Sequence, residues 1–262
     1  MHSESSAIPV DVVRAEASRF RYPLLLLHGL WTGGWIWRDF SAHLAHRGWD
    51  AWIPSFLAAE EPLELEGRRQ ALAAVCRELP APPVVVTHDA GLRLADILAA
   101  ELALPAVVAI APVVPGRAFL RSRLRWWRSV FLGGPHRLVP PRVGAADPLI
   151  AGLSDAEVRC LRTDSGALVQ GGTLREGGRD ERALPRLIVA ADGDSAAPLA
   201  LCRRLATERG WDLETQAALG HFPMLGASAA RLADGVHRWL VRALGADLLA
   251  WLDDEDPMNE AP

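Results

Sequence analysis

The sequence predicts an α/β domain: a mostly parallel sheet flanked by helices on both faces. Three observations carry this. Short runs that are apolar throughout, such as LLLL at 24–27 and VVVT at 84–87, alternate with amphipathic stretches of helical period. Strands apolar along their whole length are buried on both sides, as in parallel sheets covered by crossover helices. The chain has 262 residues, 50% of them hydrophobic, which is enough for one sizeable undivided core.

The elements follow in order. Leu24–Leu27 is the first strong strand and ends at His28 in a glycine-rich turn. An amphipathic stretch from Ile36 to Arg47 leads to a strand at Trp52–Pro54. A helical stretch near Arg68–Glu78 precedes the strand Val84–Thr87, and another at Leu92–Leu102 precedes Ala106–Ile110. Much later come Leu187–Ala190, the helix Pro198–Arg209 and a strand near Leu213–Ala218. Right-handed crossovers fix the winding.

One segment breaks the alternation. Residues 114–183 lie between two sheet strands and show no convincing strand of their own. They hold GRAFLRSRLRWWRSVF, a Gly/Pro-rich stretch and a helical stretch from Asp155. An insertion of that length at a strand's carboxyl end is expected to be a helical cap over a site. The expected organisation is a single domain over 1–262. Its core covers about 10–113 and 184–250, the cap about 114–183, and a solvated acidic tail 253–262.

Composition excludes several functions. The formal net charge is −4, so no global basic field draws in nucleic acid or anionic lipid. All 28 basic residues are arginine, which excludes Schiff-base lysine chemistry. Cys76, Cys160 and Cys202 lie far apart, in neither metal-ligand spacing nor a disulfide framework. The N-terminal stretch lacks the charged and apolar regions of a signal peptide, and no apolar run approaches the ~20 residues of a membrane helix. The expectation is a cytoplasmic protein, monomer or homodimer. It would act on a small molecule without metal or organic cofactor, and would have neither nucleic-acid nor membrane partners.

The sharpest local motif is VTHDAGL at 86–92. A β-run stops, an acid appears two residues later, small residues follow, and a helix begins. That is the strand–turn–helix context of a nucleophile elbow, which lifts one side chain, here Asp89, to the top edge of the sheet. The competing reading is that Asp89 caps the next helix, a role aspartate favours. Further on, RLIVAADGD at 186–194 is a buried strand running into an acidic turn, where Asp194 and Asp192 compete for one role. GHFPML at 220–225 places His221 just after the next strand. Asp89, Asp194 and His221 thus stand in the order nucleophile, acid, histidine, each at a strand's carboxyl end. The turn HGLWTGG at 28–34 can aim the Leu30 N–H at the site. Paired with the Ala90 N–H it would form an oxyanion hole. His28 itself reads as structural.

Together these motifs resemble the α/β-hydrolase superfamily over about residues 20–245. APVVPG at 111–116 also resembles a strand-end sequence common there. The resemblance implies the α/β-hydrolase fold with a cap insertion, and a triad of Asp89, Asp194 and His221. Three departures stand out. The usual elbow serine is an aspartate; PSFLA at 54–58 lacks the acidic DLRGHG-like run; and the N-terminal region is short, so the first strands are expected to be reduced.

Aspartate changes the chemistry. Serine must lose a proton to attack, whereas a carboxylate of ordinary pKa near 3.9 is already an anion. It can displace a halide or open an epoxide at an sp³ carbon and become an alkyl ester, which His221, oriented by Asp194, would hydrolyse. Attack on an ordinary ester would form an anhydride, so Asp89 argues against an esterase. The haloalkane dehalogenase, haloacid dehalogenase and epoxide hydrolase branches share such an aspartate.

Compared with those branches, the halide-binding tryptophan after the nucleophile is Ala90, and the asparagine of the HG turn is Leu30. Trp31, Trp126 or Trp127 could supply an indole N–H instead, although Trp126 and Trp127 also read as cap packing. Epoxide hydrolases use cap tyrosines, and the only tyrosine is Tyr22. Haloacid dehalogenases of the fluoroacetate type carry arginines one and four residues past the nucleophile; this chain has Ala90 and Arg93. The expected function is a hydrolase acting through an Asp89 ester, with halogenated compounds slightly ahead of epoxides. Two alternatives remain. One is a non-catalytic hydrolase-fold protein whose arginine-rich cap strip (Arg117, Arg121, Arg123, Arg125, Arg128) binds a partner. The other is a cofactor-free lyase or esterase-like enzyme with His221 as base.

Overall fold

The computed structural model describes residues 8–57, 62–113, 137–169 and 184–249. A seven-stranded sheet forms the centre, built from β1 (Val10–Val13), β2 (Leu24–Leu27), β3 (Ala51–Pro54), β4 (Val84–His88), β5 (Val107–Ile110), β8 (Arg186–Ala191) and β9 (Asp212–Gln216). Its order is β1-β3-β2-β4-β5-β8-β9. All neighbours pair parallel except β1, which runs antiparallel to β3 at one edge. The α/β fold class with a mostly parallel sheet is therefore as the apolar runs predict.

Burial explains the strand sequences. Leu24, Leu25, Leu26 and Leu27 all have 0% exposure, so both faces of β2 are covered. Burying each leucine contributes about 1.5–3 kcal/mol relative to leaving it exposed. The cover comes from α1 (Arg38–Ala45), α2 (Leu65–Glu78), α3 (Leu92–Glu101), α5 (Leu199–Arg209) and α6 (Ser228–Leu244). Helix α2 begins a turn before the stretch the sequence marks, and buries Arg68 together with Ala71, Leu72 and Val75. Helix α5 ends at Gly210 in the left-handed region (φ 67°), the usual glycine terminator.

The insertion between β5 and β8, expected as a helical cap, is described over 137–169. Among its described residues are two short strands, β6 (Arg137–Leu138) and β7 (Asp164–Ser165), paired antiparallel. Two residues per strand are too few to show period-two alternation, so the sequence carries no signal for them. Between them lies α4 (Asp155–Cys160), opened by a Ser154–Glu157 capping box. The segment is stitched to the turn after β2: the Arg162 N–H donates to the Trp31 carbonyl at 2.9 Å. The arginine strip at 117–128, Trp126, Trp127 and the acidic tail lie outside the described residues. No described helix is long and apolar enough to cross a membrane.

The strand order sets the location of a site. From β2 the chain first adds β3 on one side, then crosses to add β4 on the other. The carboxyl ends of β2 and β4 therefore flank a topological switch point, where loops diverge and leave a crevice.

Candidate active site

Asp89 stands at this switch point, directly after β4, with φ 54°. A non-glycine residue in the left-handed region is strained by roughly 1–2 kcal/mol, and aspartate tolerates it better than most. The sharp turn requires close approach of backbones. A Cβ on Gly91 would sit 2.9 Å from the His28 carbonyl oxygen, and one on Gly29 only 2.5 Å from the Asp89 Cβ. Both glycines are steric requirements of the junction between the β2 and β4 loops.

The Asp89 side chain does not cap α3. That helix has Gly91 at its N-cap and no side-chain cap hydrogen bond. Instead the Leu30 N–H donates to Asp89 Oδ2 at 2.9 Å. The Ala90 N–H lies close enough to the same carboxyl to favour its charged form. Asp89 Oδ1 is buried and accepts no hydrogen bond from any described residue. One carboxylate oxygen is held, the other is left over. Burial raises the Asp89 pKa, while nearby His221 and the Leu30 and Ala90 donors pull the other way.

His221 and Asp194 come together as the sequence order suggests. His221 Nδ1 lies 2.9 Å from Asp194 Oδ2, and both residues are buried. Asp194 Oδ1 accepts from the N–H groups of Ala196 and Ala197, at 2.8 and 3.0 Å. Burial alone would raise the Asp194 pKa, but His221 and these donors hold it below its ordinary value. Burial alone would likewise lower that of His221; Asp194, Asp89 and Asp147 outweigh it and raise it. The proton of neutral His221 belongs on Nδ1, facing Asp194, which leaves the Nε2 lone pair as a base. Asp192 loses the competition for this place: its Oδ1 accepts the Ala218 N–H at 2.6 Å and serves the next turn.

Two histidines are structural. His28 Nε2 accepts the Phe56 N–H at 3.1 Å, so Nδ1 carries the proton and donates to the Gly29 carbonyl at 2.9 Å. Burial holds its pKa down at about 3, and it stays neutral. His88, which the sequence reading passes over, is buried with its pKa well below the ordinary value, mainly by desolvation. Its Nε2 donates to the His221 carbonyl at 2.9 Å and its ring packs 4.7 Å from the His221 ring. It fixes the loop that carries His221.

Trp31 is a correction. As a candidate halide donor its indole should face the site unpaired. Instead Nε1 donates to the Leu138 carbonyl at 3.0 Å, within a buried contact to the insertion. The hydrogen bond spans 107 positions, beyond any local pattern. Arg93 lies in the first turn of α3, half-buried, where desolvation lowers its pKa. Among the described residues no cluster of three or more His, Cys, Asp or Glu side chains could hold a metal ion.

The chain belongs to the alpha/beta hydrolase family, whose profile matches residues 24–235. Solved structures of similar fold include a thermophilic esterase from Thermogutta terrifontis, with 15% identity and a TM-score of 0.63 over 90% of this chain and 93% of that one. A monoacylglycerol lipase from Paleococcus ferrophilus has 14% identity and a TM-score of 0.63, covering 90% and 100%. A monoglyceride lipase from Saccharomyces cerevisiae has 11% identity and a TM-score of 0.64, covering 89% and 91%. At these identities the likeness is one of fold. No curated protein matches the sequence.

Proposed function

We propose that this protein is a hydrolase that works through a covalent Asp89 ester, formed on a small substrate with an electrophilic sp³ carbon. The observation that carries this reading is the division of labour within one carboxylate. Oδ2 sits on the Leu30 N–H, while Oδ1 is buried and unpartnered among the described residues. A serine-type mechanism uses backbone donors to hold an oxygen of the substrate. Here the enzyme's own oxygen takes a donor that would have served that purpose, as an aspartyl ester requires.

Asp89 Oδ1 attacks the carbon, a C–O bond forms, and the carbon–halogen bond breaks with halide leaving; with an epoxide the ring C–O bond breaks instead, and the ring oxygen takes a proton from solvent water to give the hydroxy ester. His221 Nε2 then takes a proton from water, and the hydroxide adds to Cγ of the ester. Negative charge develops on Oδ2, to which the Leu30 N–H donates, with the Ala90 N–H close to the same carboxyl. Collapse expels the alkoxide, which takes the proton back from His221 and leaves Asp89 as the carboxylic acid; this acid gives its proton to neutral His221 and on to solvent, and the carboxylate is restored. Preorganised donors of this kind are worth about 10²–10³-fold each in rate.

Halogenated substrates remain ahead of epoxides, because no tyrosine is available beyond Tyr22, which precedes β2. With Trp31 committed to Leu138, the halide donor is not that indole. Arg93, in the first turn past the elbow, is a cation suited to a substrate carboxylate. Incubation with haloalkanes, short haloacids and epoxides, read by halide release and by alcohol or diol formation, tests the assignment. Turnover of at least one halogenated class is expected. Turnover of simple carboxylic esters alone, persisting in Asp89→Ala, would instead favour an esterase-like enzyme with His221 as base.

A further inference from the structure

We propose that the buried Arg68–Asp164 ion pair is a positioning device, which clamps the turn after β2 so that the Leu30 N–H stays on the Asp89 carboxyl. Asp164, from β7 of the insertion, and Arg68, from α2, both have fully buried side chains. Asp164 Oδ1 accepts from Arg68 Nη2 and, at 2.6 Å, from the Ser165 N–H. Arg68 Nε donates to the Leu63 carbonyl at 2.9 Å, and its guanidinium lies 5.2 Å from the centroid of the Phe56 ring. The remaining oxygen, Asp164 Oδ2, accepts the Trp31 N–H at 3.1 Å.

Trp31 is the residue after Leu30, and its backbone is strained, with φ 60°. A bulky residue holds that conformation only where its surroundings over-determine it. The Thr32 N–H closes the turn on the Leu30 carbonyl at 2.7 Å, and three contacts from the insertion hold it in place. Asp164 takes the Trp31 N–H, Leu138 takes its indole N–H, and the Arg162 N–H donates to its carbonyl. Release of the N–H end lets this turn relax toward ordinary dihedrals and swings the adjoining Leu30 amide. A buried ion pair adds little net stability over an apolar pair of similar size, so geometry is the better account of its presence.

The consequence for catalysis rests on the Asp89 reading above; the clamp itself does not. The test therefore titrates Asp89 directly, without substrate. Protein labelled with carbon-13 at aspartate Cγ is followed by NMR against pH, and the Asp89 signal is the one lost in Asp89→Asn. In Asp164→Asn the Asp89 pKa is expected to rise by about 1 unit, since the carboxylate loses a charge-assisted hydrogen bond. Electrostatics alone has the opposite sign, because removing the negative charge of Asp164 favours the Asp89 carboxylate. The double variant Arg68→Met/Asp164→Leu leaves no unpaired buried charge and is expected to show the same rise. It decides the matter where the single variant does not fold. An unchanged or lowered Asp89 pKa in a folded variant overturns the clamp. Absence of any Asp89 ester would overturn the nucleophile reading and leave this titration untouched.

Discussion

Replacing Asp89 with asparagine is expected to lower kcat/KM by about 10⁴-fold or more while the fold is retained, since removal of a triad member is of that size. The amide keeps an oxygen for the Leu30 N–H but has no anionic partner for an sp³ carbon. The same substitution is expected to leave thermal stability unchanged or raised at neutral pH. Asp89 is buried, strained at φ 54° and has one unpartnered carboxylate oxygen, all of which oppose folding. Its folded pKa lies above its unfolded value. Between those two values the native state binds more protons than the unfolded chain, so stability falls as pH rises through that window. Removing the charge removes this loss. Thermal melts of wild type and Asp89→Asn at acidic and neutral pH therefore converge at low pH and separate, with the variant higher, near neutrality. Coincident curves at every pH would show that the buried carboxylate is not a destabilising charge.

Asp194→Asn is expected to cost about 10⁴-fold in the hydrolytic half-reaction, the size seen when a carboxylate behind a catalytic histidine becomes an amide. Formation of the Asp89 ester needs no base and should be far less affected, so the ester accumulates. The pH profile carries a second signature. His221 must be neutral to take a proton from water, so turnover rises with pH as His221 deprotonates. Asp194 is the largest of the causes that raise its pKa, and its charge remains when Asp89 is an ester, so the acid limb of the wild-type profile depends on Asp194. Without the Asp194 charge, that limb moves to lower pH. Stability runs the other way. A raised histidine pKa stabilises the fold fully below 6.5, and that contribution is lost as pH rises through the folded value. A profile whose acid limb is the same in wild type and Asp194→Asn would remove His221 from the role of base.

The parts of this molecule legible in the sequence are those whose signal is local. Strands β2, β4, β5 and β8 are buried on both faces, and each is announced by an apolar run, with the buried polar residues Thr87, His88 and Arg186 at strand ends. The elbow is legible because Gly91 and Ala90 are the small residues a tight strand–turn–helix junction needs. Edge strand β1 is not legible: it is half-exposed, four residues long, and includes Asp11. The choice of Asp194 over Asp192 lies beyond local reading too. Both sit in the same acidic turn, and only the 2.9 Å contact to His221, 27 positions away, separates them. The elbow's second interpretation, Asp89 as a helix cap, falls to a hydrogen bond from Leu30, 59 positions upstream. The Arg68–Asp164 pair spans 96 positions and joins a helix to an insertion. Its sequence clue is an arginine on the buried face of α2, where arginine is almost never found unless paired. Trp31 shows the same limit from the other side. Its indole looks available in the sequence, and its partner, the Leu138 carbonyl, belongs to a backbone that no side-chain pattern announces.

The central claim is that Asp89 becomes an ester and that His221 hydrolyses it. Removing His221 should leave the first step intact and halt the second. The most direct measurement is the intact mass of His221→Ala after exposure, separately, to haloalkanes, haloacids and epoxides, followed by peptide mapping. The account predicts a stoichiometric mass gain from at least one class, equal to the alkyl group transferred and mapping to the peptide that contains Asp89. A folded His221→Ala protein that gains no mass from any of the three, or gains it elsewhere than Asp89, would contradict it.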